Sequence, residues 1–261
     1  MPASVRRRGA GVVGAAPSPR TTPAAVVGSV AVMSIRSDPG RVKNLQAVLF
    51  DMDGLLVDTE PQWFAAESAT VEQLGGVWGK QQQVDLLGSN LPVAARYMID
   101  YTGSHHDVPT VMQMLLENMT ERLTSDITFQ PGAFELLDEL SAAGIPLALV
   151  TSSVRVHVEV VLAQLPGDPF FHQVTADDVT NLKPHPEPYL TALDLLGVTA
   201  RGAVVLEDSP AGVRAAEAAG CHVVAVPSVV PIDAAPRRHV VDSLSSIDIG
   251  VLEGLVTTTQ S

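Results

Sequence analysis

Asp51 and Asp53 stand two residues apart, directly after Leu45-Gln46-Ala47-Val48-Leu49-Phe50. That run is apolar enough to be a short buried strand. Thr151-Ser152-Ser153 follows a second such run, Ile145 to Val150, and Glu207-Asp208-Ser209 follows a third, Ala203 to Leu206. In an open parallel sheet the carboxyl ends of the strands share one edge, so these groups converge in space. Four carboxylates on one edge repel one another unless a cation neutralises them. Hard oxygen ligands favour Mg²⁺. Asp51 and Asp208, helped by Glu207, are the side-chain ligands expected, and Asp53 can add its backbone carbonyl.

Side chains two apart on an extended chain point the same way. Of the Asp51/Asp53 pair, one can attack phosphorus while the other donates a proton to the leaving oxygen. Gly54 permits an unusual turn that turns backbone N–H groups toward a phosphate. Thr151 offers a hydroxyl and Ser152 a backbone N–H for phosphate oxygens. Lys183 is one of two lysines after Lys43, the other being Lys80, and lies in the Pro-bounded stretch Leu182-Lys183-Pro184-His185-Pro186. Its ammonium would offset charge on the nucleophile and on the transferring phosphoryl group. The competing reading is helix N-capping by Asp51, Asp53 and Asp208. One aspartate would suit it, but several at strand ends favour chemistry.

The elements that must position these groups alternate. Helices are expected from about Ala133 to Ala143, to about Gln164, from Lys183-Pro184 to Leu196, and from Pro210 to Ala219. Strands are expected at Phe170–Val174 and His222–Val226 as well as at the three runs above. Strand then helix, repeated, predicts an α/β fold, a Rossmann-like parallel sheet with helices on both faces. Residues 61–129 show helical stretches broken by Gly88, Pro92, Gly103 and Pro109 and little strand signal, so they are read as an inserted helical domain. The expected organisation is a disordered tail over 1–40, a core over 41–60 and 130–261, and the helical insert over 61–129.

The net charge is −13. All four charged residues before Met33 are arginines, which leaves 12 basic against 29 acidic residues and a net of −17 from there on. Such a body disfavours nucleic acid, whose binding rests on Lys and Arg. A phosphate-bearing substrate would need a locally positive site. The single cysteine, Cys221, excludes an internal disulfide, reads as a small buried side chain and fits a cytoplasmic protein. No apolar run is long enough to span a membrane. Met33 would make a natural start just ahead of the first ordered segment, while the arginines before it also resemble a transit peptide.

Four motifs carry a resemblance: Phe50-Asp51-Met52-Asp53-Gly54-Leu55-Leu56-Val57-Asp58-Thr59-Glu60, Thr151 at a strand end, Lys183-Pro184, and Glu207-Asp208-Ser209-Pro210-Ala211-Gly212. In this order they resemble the phosphatase branch of the haloacid dehalogenase superfamily, from about Leu45 to about Val226. The resemblance implies a Rossmann-like core with a helical cap, Asp51 as nucleophile, Asp53 as acid and base, and Thr151 and Lys183 on the phosphate. It also implies Mg²⁺ on Asp51, the Asp53 carbonyl and Asp208, with Glu207 touching the metal. Dehalogenases of the superfamily lack the second aspartate, present here as Asp53.

The beta-phosphoglucomutases share this cap type but carry a histidine where Trp63 stands, and basic residues where Leu87 and Leu91 flank Gly88. Without that clamp a bound bisphosphate would be costly to hold, so hydrolysis is expected ahead of a mutase, and both ahead of a catalytically silent binding module. Asp58-Thr59-Glu60-Pro61-Gln62-Trp63 is similar to phosphatases of hexose or hexitol phosphates. The partner expected is a small phosphorylated metabolite bound as substrate by a monomeric protein, with Arg96 and Arg155 as further candidate contacts. His105, His106, His157 and His185 are read as solvated or structural, and Met112, Met114 and Met119 as packing.

Overall fold

A computed structural model describes residues 44–86, 89–125 and 127–257. The expected tail over 1–40, with Met33, lies outside them, as do Leu87 and Gly88. The described residues belong to one unit, Val42–Ser261.

The core is a six-stranded sheet built from β1 (Ala47–Phe50), β4 (Leu147–Val150), β5 (His172–Val174), β6 (Ala203–Glu207), β7 (His222–Ala225) and β8 (Arg238–Val240). Its order is β5-β4-β1-β6-β7-β8, and every pair is parallel. Strands covered on both faces need unbroken apolar runs; β1, β4 and β6 have them, with every residue buried. Side chains alternate between the faces. Leu49, Ala148 and Val205 pack with Tyr189, Ala192 and Val213 from α7 (Glu187–Leu196) and α8 (Pro210–Ala218). Val48, Leu149 and Leu206 face α5 (Ala133–Ala142), α6 (Arg155–Leu162) and α9 (Ile249–Thr257). The expected α/β three-layer arrangement is what the chain adopts.

Register sets the site. Phe50 is level with Leu149 on one side and Leu206 on the other. Asp51, Thr151 and Glu207-Asp208 therefore leave the sheet side by side.

Among the described residues, four helices lie between β2 (Val57–Asp58) and β3 (Thr128–Phe129) in sequence: α1 (Glu60–Gln73), α2 (Lys80–Leu86), α3 (Leu91–Thr102) and α4 (Val108–Ser125). α4 packs against both α1 and α3. The chain enters this insert from β2 and leaves it through β3, which pair antiparallel as a two-residue ribbon. The second half of that ribbon falls inside the range read as helical, because two residues are too few to show a period.

Other boundaries differ for local reasons. α7 begins at Glu187 rather than at Lys183-Pro184, because the Glu187 carboxylate folds back onto the Thr180 and Asn181 amides and shapes that loop. β5 begins at His172, and Phe170 instead packs edge-on against Phe50 at 5.8 Å. The edge strand β8 and α9 were not anticipated. No helix among the described residues is long and apolar enough to cross a membrane.

Candidate active site

Lys183 is the hub of the sheet's carboxyl edge. Its Nζ donates to Asp51 Oδ1 at 2.5 Å, to Glu207 Oε1 at 2.6 Å and to the Val150 carbonyl at 2.8 Å. Its side chain is 5% exposed. The Lys183-Pro184 peptide is cis. Burial alone would lower the Lys183 pKa, but Asp51 and then Glu207 more than offset it, so the pKa is raised and the ammonium stays charged.

Glu207 is fully engaged. Oε1 also accepts from the Tyr189 hydroxyl at 2.7 Å, and Oε2 accepts from the Asp208 and Ser209 amides and the Ser209 hydroxyl. A Cβ on Gly212 would lie 1.6 Å from Oε1, so only glycine lets α8 start this close to the carboxylate. α8 is capped by Ser209, whose hydroxyl accepts from Gly212 N at 3.0 Å. The residue preceding α1 is Thr59. The aspartates are therefore not the caps of these helices, and the capping reading fails.

Asp53 is held by three hydroxyls. Thr59 donates to one oxygen at 3.0 Å; Thr151 at 3.2 Å and Ser153 at 2.7 Å donate to the other. Thr151 in turn accepts from Ser153 N at 3.0 Å. The Thr151 hydroxyl, expected on a phosphate, here orients the second aspartate. Ser152 is exposed next to it. Gly54 has φ +83°, and a Cβ there would lie 2.1 Å from Asp208 Oδ2. That close approach, together with the left-handed backbone, requires glycine.

Asp51, Glu207 and Asp208 each bring a carboxylate oxygen within 4.8 Å of the others. Burial, and then Glu207, push the Asp208 pKa up to about 7, against the 2.5 Å hydrogen bond from Ser228. Burial also raises Asp51, with Lys183 opposing. Among the described residues Lys183 is the only ammonium bonded to this group, and it leaves the carboxylates with excess negative charge. The donors are all oxygens. This set fits a hard divalent cation.

All the residues read as site residues, Asp51, Asp53, Gly54, Thr151, Ser152, Lys183, Glu207 and Asp208, thus lie at one edge. Sequence reasoning missed Tyr189, Ser228, Ser153 as a partner of Asp53, and Gln130, whose amide donates to the Gly54 carbonyl at 2.9 Å. Of the other candidates, Arg155 is tied to Asp178 at 2.5 Å and Arg96 is exposed on α3. His105, His106 and His185 are exposed. His157 is buried, within 3.2 Å of the Leu116 carbonyl and edge-on to Trp63. Met119 is buried in the insert and Met112 packs beside it. Cys221 is buried, and its thiol pKa is pushed up to about 12 by that burial.

A parallel sheet with an acidic, lysine-bearing carboxyl edge and a helical insert after its first strand defines a Rossmann-like α/β enzyme. Residues 48–226 match the family described as haloacid dehalogenase-like hydrolase. Hexitol phosphatase A of Escherichia coli (strain K12) is 37% identical over 209 residues, covering 74% of this chain and 87% of that protein. A phosphorylated carbohydrates phosphatase of Thermotoga maritima is 34% identical, covering 67% and 82%. The crystal structure of CbbY from Rhodobacter sphaeroides in complex with phosphate superposes with a TM-score of 0.70 at 28% identity, covering 77% and 95%. The chain belongs to the haloacid dehalogenase-like hydrolase family.

Proposed function

We propose that this enzyme hydrolyses small phosphomonoesters, sugar or polyol phosphates foremost, through a covalent phosphoryl group on Asp51. The observation that carries the reading is the Lys183 ammonium bonded to both Asp51 and Glu207 at the edge where Asp53 and Asp208 also emerge. The names of the 37% and 34% identical relatives favour the substrate class.

The chemistry divides in two. An Asp51 oxygen attacks phosphorus, the ester P–O bond breaks, and Asp53 gives the departing alkoxide a proton. Water then attacks the aspartyl phosphate while Asp53 takes a proton from it, releasing phosphate and restoring the Asp51 carboxylate and the Asp53 carboxylic acid that began the cycle. Lys183 holds Asp51 in place and offsets charge on the transferring group. The amides of Met52, Asp53 and Ser152 make no hydrogen bond to another described residue. They are therefore free to receive phosphate oxygens. Asp51, the Asp53 carbonyl and Asp208 would hold Mg²⁺, which supplies positive charge for the phosphate. In this scheme Glu207, with five donors on its two oxygens, serves mainly to anchor Lys183. The α1–α4 insert acts as a cap that shields the reacting edge from water.

Trp63 stands edge-on to His157 where a mutase would carry its histidine, which supports hydrolysis over isomerisation. The test is phosphate release from a panel of small phosphate esters with Mg²⁺ and then EDTA, with beta-glucose 1-phosphate also assayed for isomerisation. Metal-dependent release is the expected result; isomerisation with little release would replace this reading with a mutase.

A further inference from the structure

We infer that Gln130 is a positioning residue for the phosphoryl-transfer loop, acting through the backbone of Gly54; the inference rests on the hydrolase reading above. Gly54 separates Asp53 from the turn that leads into the insert. Glycine has the freest backbone of any residue. A side chain cannot stiffen this position, because a Cβ would strike Asp208 Oδ2 at 2.1 Å and Ser228 Oγ at 3.0 Å. The restraint comes instead from two hydrogen bonds, one on each peptide plane that Gly54 joins.

On the N-terminal plane, Gly54 N–H donates to the Val57 carbonyl at 2.8 Å. In a planar trans peptide the C=O points opposite to the N–H. This bond therefore aims the Asp53 carbonyl away from Val57. On the C-terminal plane, the Gln130 side-chain amide donates to Gly54 O at 2.9 Å. With both planes pinned, φ and ψ of Gly54 are set, and with them the direction of the Asp53 peptide relative to the turn that follows it.

Gln130 is itself fixed by a backbone bond, Gln130 N to Leu56 O at 3.0 Å. It follows β3 directly and is the first residue after the ribbon, where the chain returns from the insert. One side chain thus spans 76 residues of sequence, joining the exit of the insert to the loop that bears both aspartates. The half-buried amide could be replaced by many polar residues at no cost to the core, yet few would put a neutral donor on that carbonyl.

The test is Gln130→Glu, which keeps the shape but presents an acceptor to an acceptor when ionised. We expect kcat to fall by about tenfold to a hundredfold, as for a displaced reacting group. KM should stay within about twofold and the melting temperature near that of wild type. The introduced carboxyl can donate once protonated, so the variant-to-wild-type kcat ratio should climb as the pH is lowered toward 5. Gln130→Leu, which lacks the donor at every pH, should show the loss without that climb. Wild-type kcat in Gln130→Glu, or a loss that follows the melting temperature and ignores pH, would overturn the inference alone. Absence of metal-dependent phosphate release by the wild-type protein would overturn the hydrolase reading and this inference with it.

Discussion

The Lys183 ammonium and the Glu207 carboxylate meet at 2.6 Å, with both side chains withdrawn from solvent. A buried charge keeps its ionised form only when paired and hydrogen-bonded. Here each member also serves a further group: Lys183 reaches Asp51, and Glu207 receives Tyr189 and the start of α8.

Lys183→Ala should therefore weaken both function and fold. Removing one partner of a buried pair costs about 3–5 kcal/mol. Turnover of an aryl phosphate should fall by orders of magnitude, and thermal melting should shift down. Mg²⁺ should recover part of the lost stability, since a cation can also neutralise Asp51 and Asp208. Near-normal turnover would place Lys183 outside the reaction.

Asp51→Asn keeps the size of the side chain and removes the charge proposed to attack phosphorus. Turnover should drop by about 1,000-fold or more, while melting changes little. Mass spectrometry after brief exposure to substrate should find a phosphoryl adduct on the wild-type chain and none on the variant. An adduct on the variant would assign the nucleophile elsewhere.

Gly212→Ala would place a methyl 1.6 Å from Glu207 Oε1. Either α8 or Glu207 must move. Overpacking of this kind costs about 1–3 kcal/mol, and the displacement should also reduce kcat by loosening Lys183. A variant of wild-type stability and activity would show that the edge yields more readily than its packing implies.

Glu67, on α1, gives a pH dependence. Burial raises its pKa from the ordinary 4.5 to about 7, with the Trp78 indole N–H at 3.0 Å opposing. Between those values the folded protein binds more protons than the unfolded chain, so this group's contribution to stability declines as pH rises from 4.5 to 7. Glu67→Gln keeps an acceptor for Trp78 and abolishes the titration. The variant should match wild type near pH 4.5 and exceed it above pH 7 by about 1–3 kcal/mol. Denaturant melts at both pH values decide it; equal stability above pH 7 would sink the assignment.

The chemistry-bearing residues were legible because each ends an apolar run. Asp51 follows Ala47–Phe50 and Glu207 ends Ala203–Glu207, and parallel topology then dictates that they meet. What escaped was lateral. Tyr189 reaches Glu207 across 18 residues, Ser228 reaches Asp208 across 20, and neither contact leaves a pattern in the chain. The roles of Thr151 and Asp53 also shift in three dimensions. The hydroxyl expected on a phosphate binds the aspartate, because Ser153 and Thr59 bring that carboxylate into reach. The ribbon of β2 and β3 was invisible for want of length, and β8 because its Arg238 and His239 break the apolar run expected of a strand.

The central position of β1 has a consequence for the life of the chain. The strand that carries Asp51 pairs on one side with Leu147–Leu149 and on the other with Ala203–Leu206. During synthesis it is translated well before either neighbour. At roughly 5–20 residues per second its second flank is missing for roughly ten to thirty seconds. Throughout that interval a ribosome-bound chain holds Asp51 but lacks Glu207, and for most of it lacks Lys183 as well. Catalytic competence therefore arrives late and all at once, and a chain released before Glu207 is made leaves β1 an unpaired apolar edge, material for chaperones and proteases.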